Sequence, residues 1–226
     1  MKICCIIPAY NSQDTIGKVV EGAKNHIGHV VVIDDGSTDN TALRAEKAGA
    51  DLIRVSENRG KGNALRIAFR YARVNHYDAV ITLDADLQHD PSEIPTFIEK
   101  YRAEQSHIIS GDRLHEREKI PRIRCVPNRL GTYLFSRMIG QTVYDSQCGF
   151  RLYARSVMDN ITIVRDSFDA ESDILLRAGK RGYRIDFVPI KTIYRKGRKS
   201  GSFYRPVKDT FHICTVYLKN LFWKDR

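Results

Sequence analysis

Long uncharged apolar runs are missing from this sequence of 226 residues. No stretch reaches the ~18 consecutive apolar residues that a membrane-spanning helix requires, which excludes a protein built from such helices. The first residues also lack a basic segment followed by an apolar region, so we expect no secretory signal peptide. Disorder over most of the chain is excluded as well, because short apolar runs recur from Ile3 to Phe222.

Cysteine motifs are equally scarce. The chain has five cysteines without a CxxC pair or a histidine-containing zinc pattern: Cys4, Cys5, Cys125, Cys148 and Cys214. The first two lie inside an apolar run and are interpreted as small buried side chains. An odd number without the spacing of a disulfide framework indicates a reducing compartment, so we expect a cytoplasmic location.

Basic charge is concentrated in parts of the chain. The formal net charge is +10, and residues 191–226 contribute +8 of it, with ten lysines and arginines against two aspartates. A second basic stretch lies between Arg113 and Arg129. A solvated surface explains many such runs, but two of them in an otherwise balanced chain favour an anionic partner. Nucleic acid, a phosphorylated ligand and the anionic cytoplasmic face of a membrane are the candidates.

The first half of the chain alternates apolar runs of strand length with helical patterns. Strands are predicted at residues 3–7, 30–33, 52–55, 79–83 and 108–109, and helices at 14–25, about 39–48, 64–74 and 91–101. This alternation predicts βαβ units, and therefore an α/β fold with a mostly parallel central sheet flanked by helices. In the less regular second half we expect helices at 128–139 and 170–178 and a strand at 184–188.

Polar residues follow the predicted strands, at the edge where parallel sheets bind their ligands. Four segments would share this edge: Pro8-Ala9-Tyr10-Asn11, Asp34-Asp35-Gly36-Ser37, Glu57-Asn58-Arg59-Gly60-Lys61-Gly62 and Asp84-Ala85-Asp86-Leu87-Gln88. Asp84 and Asp86 offer the oxygen ligands that a hard divalent cation prefers. Asp90 can cap the helix that Pro91 opens, which leaves the pair free to bind a metal.

The segment Gly60-Lys61-Gly62 invites comparison with phosphate-binding loops. It matches neither the Walker pattern nor a GxGxxG motif placed after the first strand. We interpret its glycines as allowing a tight turn into the following helix. Lys61 or Arg59 either reaches a nucleotide phosphate or is simply solvated, and the residues alone leave both alternatives open.

Together and in this order, the motifs resemble those of family 2 glycosyltransferases with the GT-A fold. The string LDADLQHDP narrows the resemblance, together with Ser110-Gly111-Asp112-Arg113 and the segment from Asp145 to Arg151. The narrower match is to the branch that contains dolichol-phosphate mannose synthase and bacterial polyprenyl-phosphate glycosyltransferases. This resemblance implies inverting transfer of a hexose from a UDP- or GDP-linked sugar to a polyprenyl or dolichyl phosphate.

The resemblance also implies a role for each motif. A pocket for the donor's base and ribose is implied at Pro8, Ala9, Tyr10, Asn11, Asp35 and Gly36. A site for Mg²⁺ or Mn²⁺ against the diphosphate is implied at Asp84, Asp86 and Gln88. Further substrate contacts are implied at Lys61, Ala85, Arg129, Arg151, Arg198 and Lys199. The catalytic residues would be Asp86, Arg113 and Asp145, with Arg113 beside the sugar or the acceptor phosphate.

The kind of acceptor decides whether the reaction needs a base. A phosphate monoester, with a second pKa of ~6, is largely ionised at neutral pH and needs arginines to orient its oxygens. A hydroxyl must lose a proton, and Asp145 or Glu171 would be the candidate base. The arginines between Gly111 and Arg129 favour the phosphate, while a hydroxyl of a glycan or lipid is the alternative.

Two other classes of protein, nucleic-acid binders and nucleotidyltransferases, fit the sequence less well. A nucleic-acid binder is suggested only by the charge, since the chain shows no recognised binding module, and we expect no nucleic-acid partner. A nucleotidyltransferase would also place acidic pairs on a parallel sheet, but the motifs of the acceptor side do not suit it.

Residues 204–226 are predicted to form an amphipathic helix after a catalytic domain of residues 1–203. Phe211, Phe222 and Trp223 lie among basic residues there, which is typical of a helix at the surface of an anionic membrane. Packing of the same apolar stripe against the domain is the alternative. We therefore expect peripheral attachment to the inner face of the cytoplasmic membrane.

Overall fold

A computed structural model describes residues 1–113, 132–167 and 169–193 of the chain. Its strands are β1 (Ile3–Ala9), β2 (Val30–Asp34), β3 (Asp51–Arg54), β4 (Ala79–Thr82), β5 (Ile108–Asp112), β6 (Arg151–Ala154) and β7 (Ile185–Pro189). Its helices are α1 (Ile16–Lys24), α2 (Thr41–Lys47), α3 (Lys61–Val74), α4 (Ile94–Glu104), α5 (132–139), α6 (Arg155–Asn160) and α7 (Asp169–Lys180). None of these described helices is long and apolar enough to cross a membrane.

The strands form one sheet in the spatial order β3-β2-β1-β4-β6-β5-β7. β6 is antiparallel to both of its neighbours, whereas the other pairs of neighbouring strands are parallel. The prediction of an α/β fold with a mostly parallel sheet is therefore confirmed. Because β6 runs the opposite way, its first residue, Arg151, pairs with Thr82 at the end of β4 and with Ser110 of β5.

Helices cover both faces of the sheet and divide the core in two. Alternate residues of a strand point to opposite faces, so Cys4 and Ile6 of β1 pack on one side and Cys5 and Ile7 on the other. The first side is covered by α3, α5, α6 and α7, and the second by α1, α2 and α4. Burial on both faces explains why these strands occur in the sequence as continuous apolar runs.

The strands and helices predicted for residues 3–112 are confirmed, with shifted boundaries. The predicted cap is confirmed too, because Asp90 accepts a hydrogen bond from the backbone N–H of Ser92 at 3.0 Å and so caps the short 3₁₀ helix Pro91–Glu93 that leads into α4. In the second half, the predictions at 170–178 and 184–188 correspond to α7 and β7. The predicted helix at 128–139 is helical from residue 132, and residues 128–131 lie outside the described part of the chain.

The sequence prediction is wrong in omitting β6 and α6. Arg151 at the start of β6 is fully buried, and a charged residue interrupts the apolar pattern by which buried strands are recognised. β6 is also the antiparallel strand of the sheet, so it does not continue the βαβ alternation of the first half. This strand matters for function, because it brings the segment of residues 145–150 to the edge described next.

Candidate active site

The ends of the parallel strands and the start of β6 lie at one edge of the sheet. β1, β2 and β4 run in the same direction, so the loops that follow them meet there. β6 begins at this edge because it is antiparallel to β4, which places Gly149 against the carboxylate of Asp84. β5 ends at the same edge and is followed by Arg113. The topology thus brings together the predicted site segments of the described chain.

Hydrogen bonds join the loops after β1 and β2 into one wall. The backbone N–H of Asn11 donates to Ser37 Oγ at 2.9 Å, and that of Thr38 donates to Asn11 Oδ1 at 2.9 Å. Asn11 has a φ of 45°, a left-handed conformation that asparagine adopts more readily than most residues. Residues 8–10 form the end of β1 and the start of this loop. The residues predicted to bind the sugar nucleotide therefore lie side by side.

Asp35 connects this wall to the turn before α3. Its buried carboxylate accepts hydrogen bonds from the backbone N–H groups of Arg59 at 3.2 Å and Gly60 at 2.7 Å. The neighbouring Gly36 has a φ of 73°, and a Cβ there would meet the backbone of Glu57, so the position favours glycine. A contact between Asp35 and a nucleotide base stays a prediction.

Two glycines place Lys61 at the first position of α3. Gly60 has a φ of 90°, so the predicted tight turn into the helix is confirmed there. Gly62 is needed for another reason, since its N–H donates to the carbonyl of Asp166 at 2.9 Å and a Cβ would overlap the carbonyl oxygen of Arg165. The glycines thus let the chain before α7 pass close to the start of α3.

The ammonium group of Lys61 lies 2.5 Å from Asp84 Oδ1 and 3.0 Å from Glu171 Oε1. Its side chain is only 12% exposed, so the alternative of a solvated Lys61 is wrong. Arg59, by contrast, is exposed and pairs with Glu57 at 2.8 Å. Burial lowers the pKa of Lys61, but the two carboxylates outweigh burial and raise it above the usual lysine value. Lys61 therefore supplies a lasting positive charge beside the predicted metal ligands.

Asp86 and Gln88 lie on the same loop as Asp84. The side-chain and backbone nitrogens of Gln88 donate to the two carboxylate oxygens of Asp86, at 2.7 and 2.9 Å. Burial and the nearby charge of Asp84 raise the pKa of Asp86, which indicates repulsion between the two carboxylates. Burial also raises the pKa of Asp84, but Lys61 and other cations outweigh it and lower the pKa below its usual range.

These residues fit a hard divalent cation. Asp84, Asp86 and the side-chain carbonyl of Gln88 supply oxygen donors, the ligand type that Mg²⁺ and Mn²⁺ prefer. The ammonium group of Lys61 already shows that a positive charge is stabilised next to Asp84. In the described ranges, no group of three or more His, Cys, Asp or Glu residues could hold a metal by itself.

Gly149, which lies in the matched segment from Asp145 to Arg151, and His89, which received no role from the sequence, both contact Asp84. A Cβ on Gly149 would lie 2.6 Å from Asp84 Oδ1, so the carboxylate rests directly on the Gly149 backbone. His89 is buried, with Nδ1 3.7 Å from Asp84 Oδ2, and burial lowers its pKa to about 4. The neutral imidazole of His89 and the backbone of Gly149 thus define where the Asp84 carboxylate lies. In the sequence, only their positions inside the matched motifs indicate that His89 and Gly149 belong to the site.

Arg113 and Asp145 form a two-point ion pair, with Nε to Oδ2 at 2.6 Å and Nη2 to Oδ1 at 3.1 Å. Asp145 also accepts a hydrogen bond from the backbone N–H of Gln147 at 2.9 Å. Burial raises the pKa of Asp145, but Arg113 outweighs burial and lowers it, so this carboxylate is a weak base. The Arg113 side chain is 25% exposed and lies close enough to Asp84 for the two groups to shift each other's pKa.

Arg151 lies inside the protein. Its fully buried side chain donates to the carbonyl oxygens of Ser146 at 2.8 Å and Glu171 at 2.6 Å. It therefore ties the segment before β6 to the first turn of α7. The substrate contact implied for Arg151 is not available in this arrangement, because no part of the side chain is exposed.

The remaining predicted site residues divide into two groups. Ala85 is buried between the two aspartates of its loop, with 6% of its surface exposed. Arg129, Arg198 and Lys199 lie outside the described residues, as does the predicted helix of residues 204–226. Their roles stay predictions.

Known proteins resemble this chain in sequence. The profile of the family described as Glycosyl transferase family 2 matches residues 4–162. Glycosyltransferase AglJ of Haloferax volcanii is 30% identical over 212 residues, which cover 92% of this chain and 68% of that protein. The UDP-N-acetylglucosamine–dolichyl-phosphate N-acetylglucosaminyltransferase of Methanococcus voltae is 29% identical over 215 residues, which cover 85% of this chain and 86% of that protein.

A solved structure resembles the chain in three dimensions. Glucosyl-3-phosphoglycerate synthase from Mycobacterium tuberculosis, in complex with Mn²⁺, UDP and phosphoglyceric acid, superposes with a TM-score of 0.76 at 19% identity. The match covers 99% of this chain and 80% of the synthase. The likeness confirms the predicted GT-A fold.

Proposed function

Because the chain belongs to glycosyl transferase family 2, we propose that it transfers a hexose, with inversion, from a UDP- or GDP-linked sugar to a polyprenyl or dolichyl phosphate. Family membership makes the chain a glycosyltransferase. The observation that carries the choice of acceptor is the partly exposed Arg113, held by Asp145 beside the carboxylates of the Asp84 loop. A guanidinium fixed in this way is suited to bind and orient a phosphate.

The donor's leaving group is a nucleoside diphosphate, on which negative charge develops as the anomeric bond breaks. Asp84, Asp86 and Gln88 would hold Mg²⁺ or Mn²⁺, which when bound supplies a Lewis acid for that charge. Lys61 adds a buried ammonium group beside these ligands, within 3.0 Å of both Asp84 and Glu171. Charges that are fixed before the reaction stabilise a developing anion without further reorganisation.

A phosphate acceptor also agrees with the state of the carboxylates on its side of the site. Asp145 is held by Arg113 with a lowered pKa, and the Glu171 carboxylate lies 3.0 Å from the ammonium of Lys61. Both candidate bases are therefore paired with cations. A hydroxyl acceptor would require one of them to take up a proton, whereas an ionised phosphate attacks without a base.

A lipid-linked acceptor brings the reaction to the cytoplasmic face of a membrane. The Methanococcus voltae relative is named for a dolichyl phosphate acceptor, which supports a lipid phosphate for this chain. Peripheral attachment through the basic residues after position 191 is part of the proposal. Salt-sensitive binding to anionic liposomes would support it if deletion of residues 211–226 abolishes the binding in a protein that still folds. Absence of binding by the full chain would contradict it.

The acceptor is tested by the stability of the product. The chain is incubated with labelled UDP- and GDP-sugars, Mn²⁺ or Mg²⁺, and polyprenyl phosphate. We expect label in a lipid that mild acid releases, as a sugar phosphate diester would. Label in a product stable to both acid and alkali would indicate a hydroxyl acceptor instead. Asp86→Asn serves as the control, because it keeps the shape of the side chain and removes a charged metal ligand.

A further inference from the structure

Lys61 shares its charge unequally between two carboxylates. The contact from Nζ to Asp84 Oδ1, at 2.5 Å, is an aligned hydrogen bond. The contact from Nζ to Glu171 Oε1, at 3.0 Å, is an ion pair by distance only, and this oxygen accepts no hydrogen bond from the described residues. Glu171 is therefore a second buried carboxylate within reach of an ammonium group whose shorter contact is with Asp84.

Glu171 is held firmly at this position. It lies in the first turn of α7, and its side chain is 5% exposed. Its carbonyl oxygen accepts a hydrogen bond from the buried guanidinium of Arg151 at 2.6 Å. The start of α7 also follows the segment that packs on Gly60 and Gly62, so the same contacts fix the distance between Lys61 and Glu171.

The position of the ammonium group conflicts with a divalent cation on Asp84. Like charges at hydrogen-bond distance from one carboxylate repel each other strongly, because the site is largely buried. Lys61 has four flexible side-chain carbons, so its ammonium group can swing while its backbone stays at the start of α3. A second buried carboxylate within reach gives the displaced ammonium group a place to go.

We propose that Glu171 is a positioning residue that receives the ammonium group of Lys61 when a divalent cation binds Asp84. When Glu171 accepts the ammonium group, Asp84 is free to bind the cation. Lys61 then lies at the edge of the site proposed for the diphosphate. The inference rests on the proposed function, because it takes Asp84 as a metal ligand. It assigns Glu171 a role other than that of the candidate base considered from the sequence.

Binding of Mn²⁺ tests the proposal without measuring sugar transfer. Dissociation constants are measured by electron paramagnetic resonance, with Mn²⁺ alone and with UDP or GDP, for four proteins: wild type, Lys61→Met, Glu171→Gln and the double variant. We expect Mn²⁺ to bind about tenfold more tightly to Lys61→Met, because a competing cation is gone. We expect about tenfold weaker binding to Glu171→Gln, because the ammonium group then lacks the second carboxylate and competes with Mn²⁺ for Asp84.

The double variant shows whether Glu171 acts by positioning Lys61 or by attracting Mn²⁺ directly through its negative charge. If Glu171 acts through Lys61, then Glu171→Gln changes the Mn²⁺ affinity of Lys61→Met by less than about twofold. An equal tenfold loss in both backgrounds would overturn the proposal, because it would mean that the carboxylate attracts the metal directly. No Mn²⁺ binding by wild type and Lys61→Met under any condition would instead overturn the metal assignment within the proposed function.

Two controls guard against loss of folding or a general charge effect. Glu104→Gln removes the same charge at the end of α4, where Glu104 pairs with Lys100 and Arg184, and should leave Mn²⁺ affinity unchanged. Glu171→Asp keeps the carboxylate and should restore part of the affinity lost in Glu171→Gln. Thermal unfolding of each variant shows that the measured protein is folded. A failure of Glu171→Asp to restore affinity in a folded protein would count against the proposal.

Discussion

The proposed donor side and the proposed acceptor side of the site hold their polar groups by different means. At the ends of β1 and β2, on the donor side, Asn11 and Asp35 accept hydrogen bonds from backbone N–H groups of neighbouring loops. On the acceptor side, formed by the end of β5 and the start of β6, Arg113 and Asp145 are a partly buried ion pair. The first arrangement tolerates the loss of one partner better, because a lone buried charge costs more than a lone backbone group.

The largest effect is expected from Arg113→Met. The kcat/KM for polyprenyl phosphate should fall about 10²–10³-fold, since the phosphate loses a fixed charged donor and Asp145 loses its partner. Binding of the sugar nucleotide, measured by thermal shift, should change by less than about twofold. Arg113→Lys, which keeps the charge without the planar fork, should recover part of the activity. Equal damage to donor and acceptor binding would contradict the division into two sides.

Asp145→Asn and Asp35→Asn compare how much each side of the site contributes to the free energy of unfolding. Asp145→Asn should lower the free energy of unfolding by about 3 kcal/mol, because Arg113 is left without its buried counter-charge. Asp35→Asn should cost about 1 kcal/mol, because an amide oxygen can still accept from the backbone of Gly60. Both values come from urea unfolding monitored by circular dichroism. Similar losses in the two variants would show that the two sides do not differ in this way.

Gly149→Ala links the two sides, since its added Cβ would press against the carboxylate of Asp84. We expect Mn²⁺ affinity in the presence of nucleotide to fall about tenfold, which corresponds to about 1.4 kcal/mol of displaced ligand geometry. Gly28→Ala is the matched control, because a Cβ at Gly28 meets nothing within 4 Å. Calorimetric titration measures both. An unchanged affinity in Gly149→Ala would mean that Asp84 can move without loss of the metal site.

The smallest effect concerns the pH dependence of stability. Arg113 holds the pKa of Asp145 below its value in the unfolded chain, ~3.9. The pair therefore contributes stability that is fully present above about pH 5 and lost as the pH falls through the lowered pKa. The melting temperature of wild type should fall more steeply below about pH 5 than that of Asp145→Asn. Parallel slopes in scanning calorimetry would contradict a stabilising pair.

The donor side could be predicted from the sequence because its features are local. The apolar runs of β1, β2 and β4 and the polar residues directly after them are adjacent in the chain, so their order reveals the edge they share. Asp90 and the turn at Gly60 could be predicted for the same reason. Each of these depends on residues only a few positions away.

The acceptor side could be predicted only as a set of motifs. One of the two carboxylates that contact Lys61 belongs to Glu171, in a helix far along the chain, and no local pattern indicates that the two residues meet. β6 could not be predicted because it begins with the charged residue Arg151. The backbone carbonyls that accept hydrogen bonds from Arg151 come near it only in the folded chain. The sequence predicts Gly62 as part of a turn, whereas its role is set by the close approach of the Arg165 backbone.

The insertion of β6 between β4 and β5 affects how the chain can fold as it is synthesised. Among the described strands, β5 pairs with β6 and β7 and not with β4, so it leaves the ribosome before either partner exists. Until residue 154 follows, β4 presents an unpaired edge beside the aspartates of the site. Fragments that stop before β6 would therefore keep this edge open and tend to aggregate. The site becomes complete only in a late step of synthesis, when the sheet is closed from both directions.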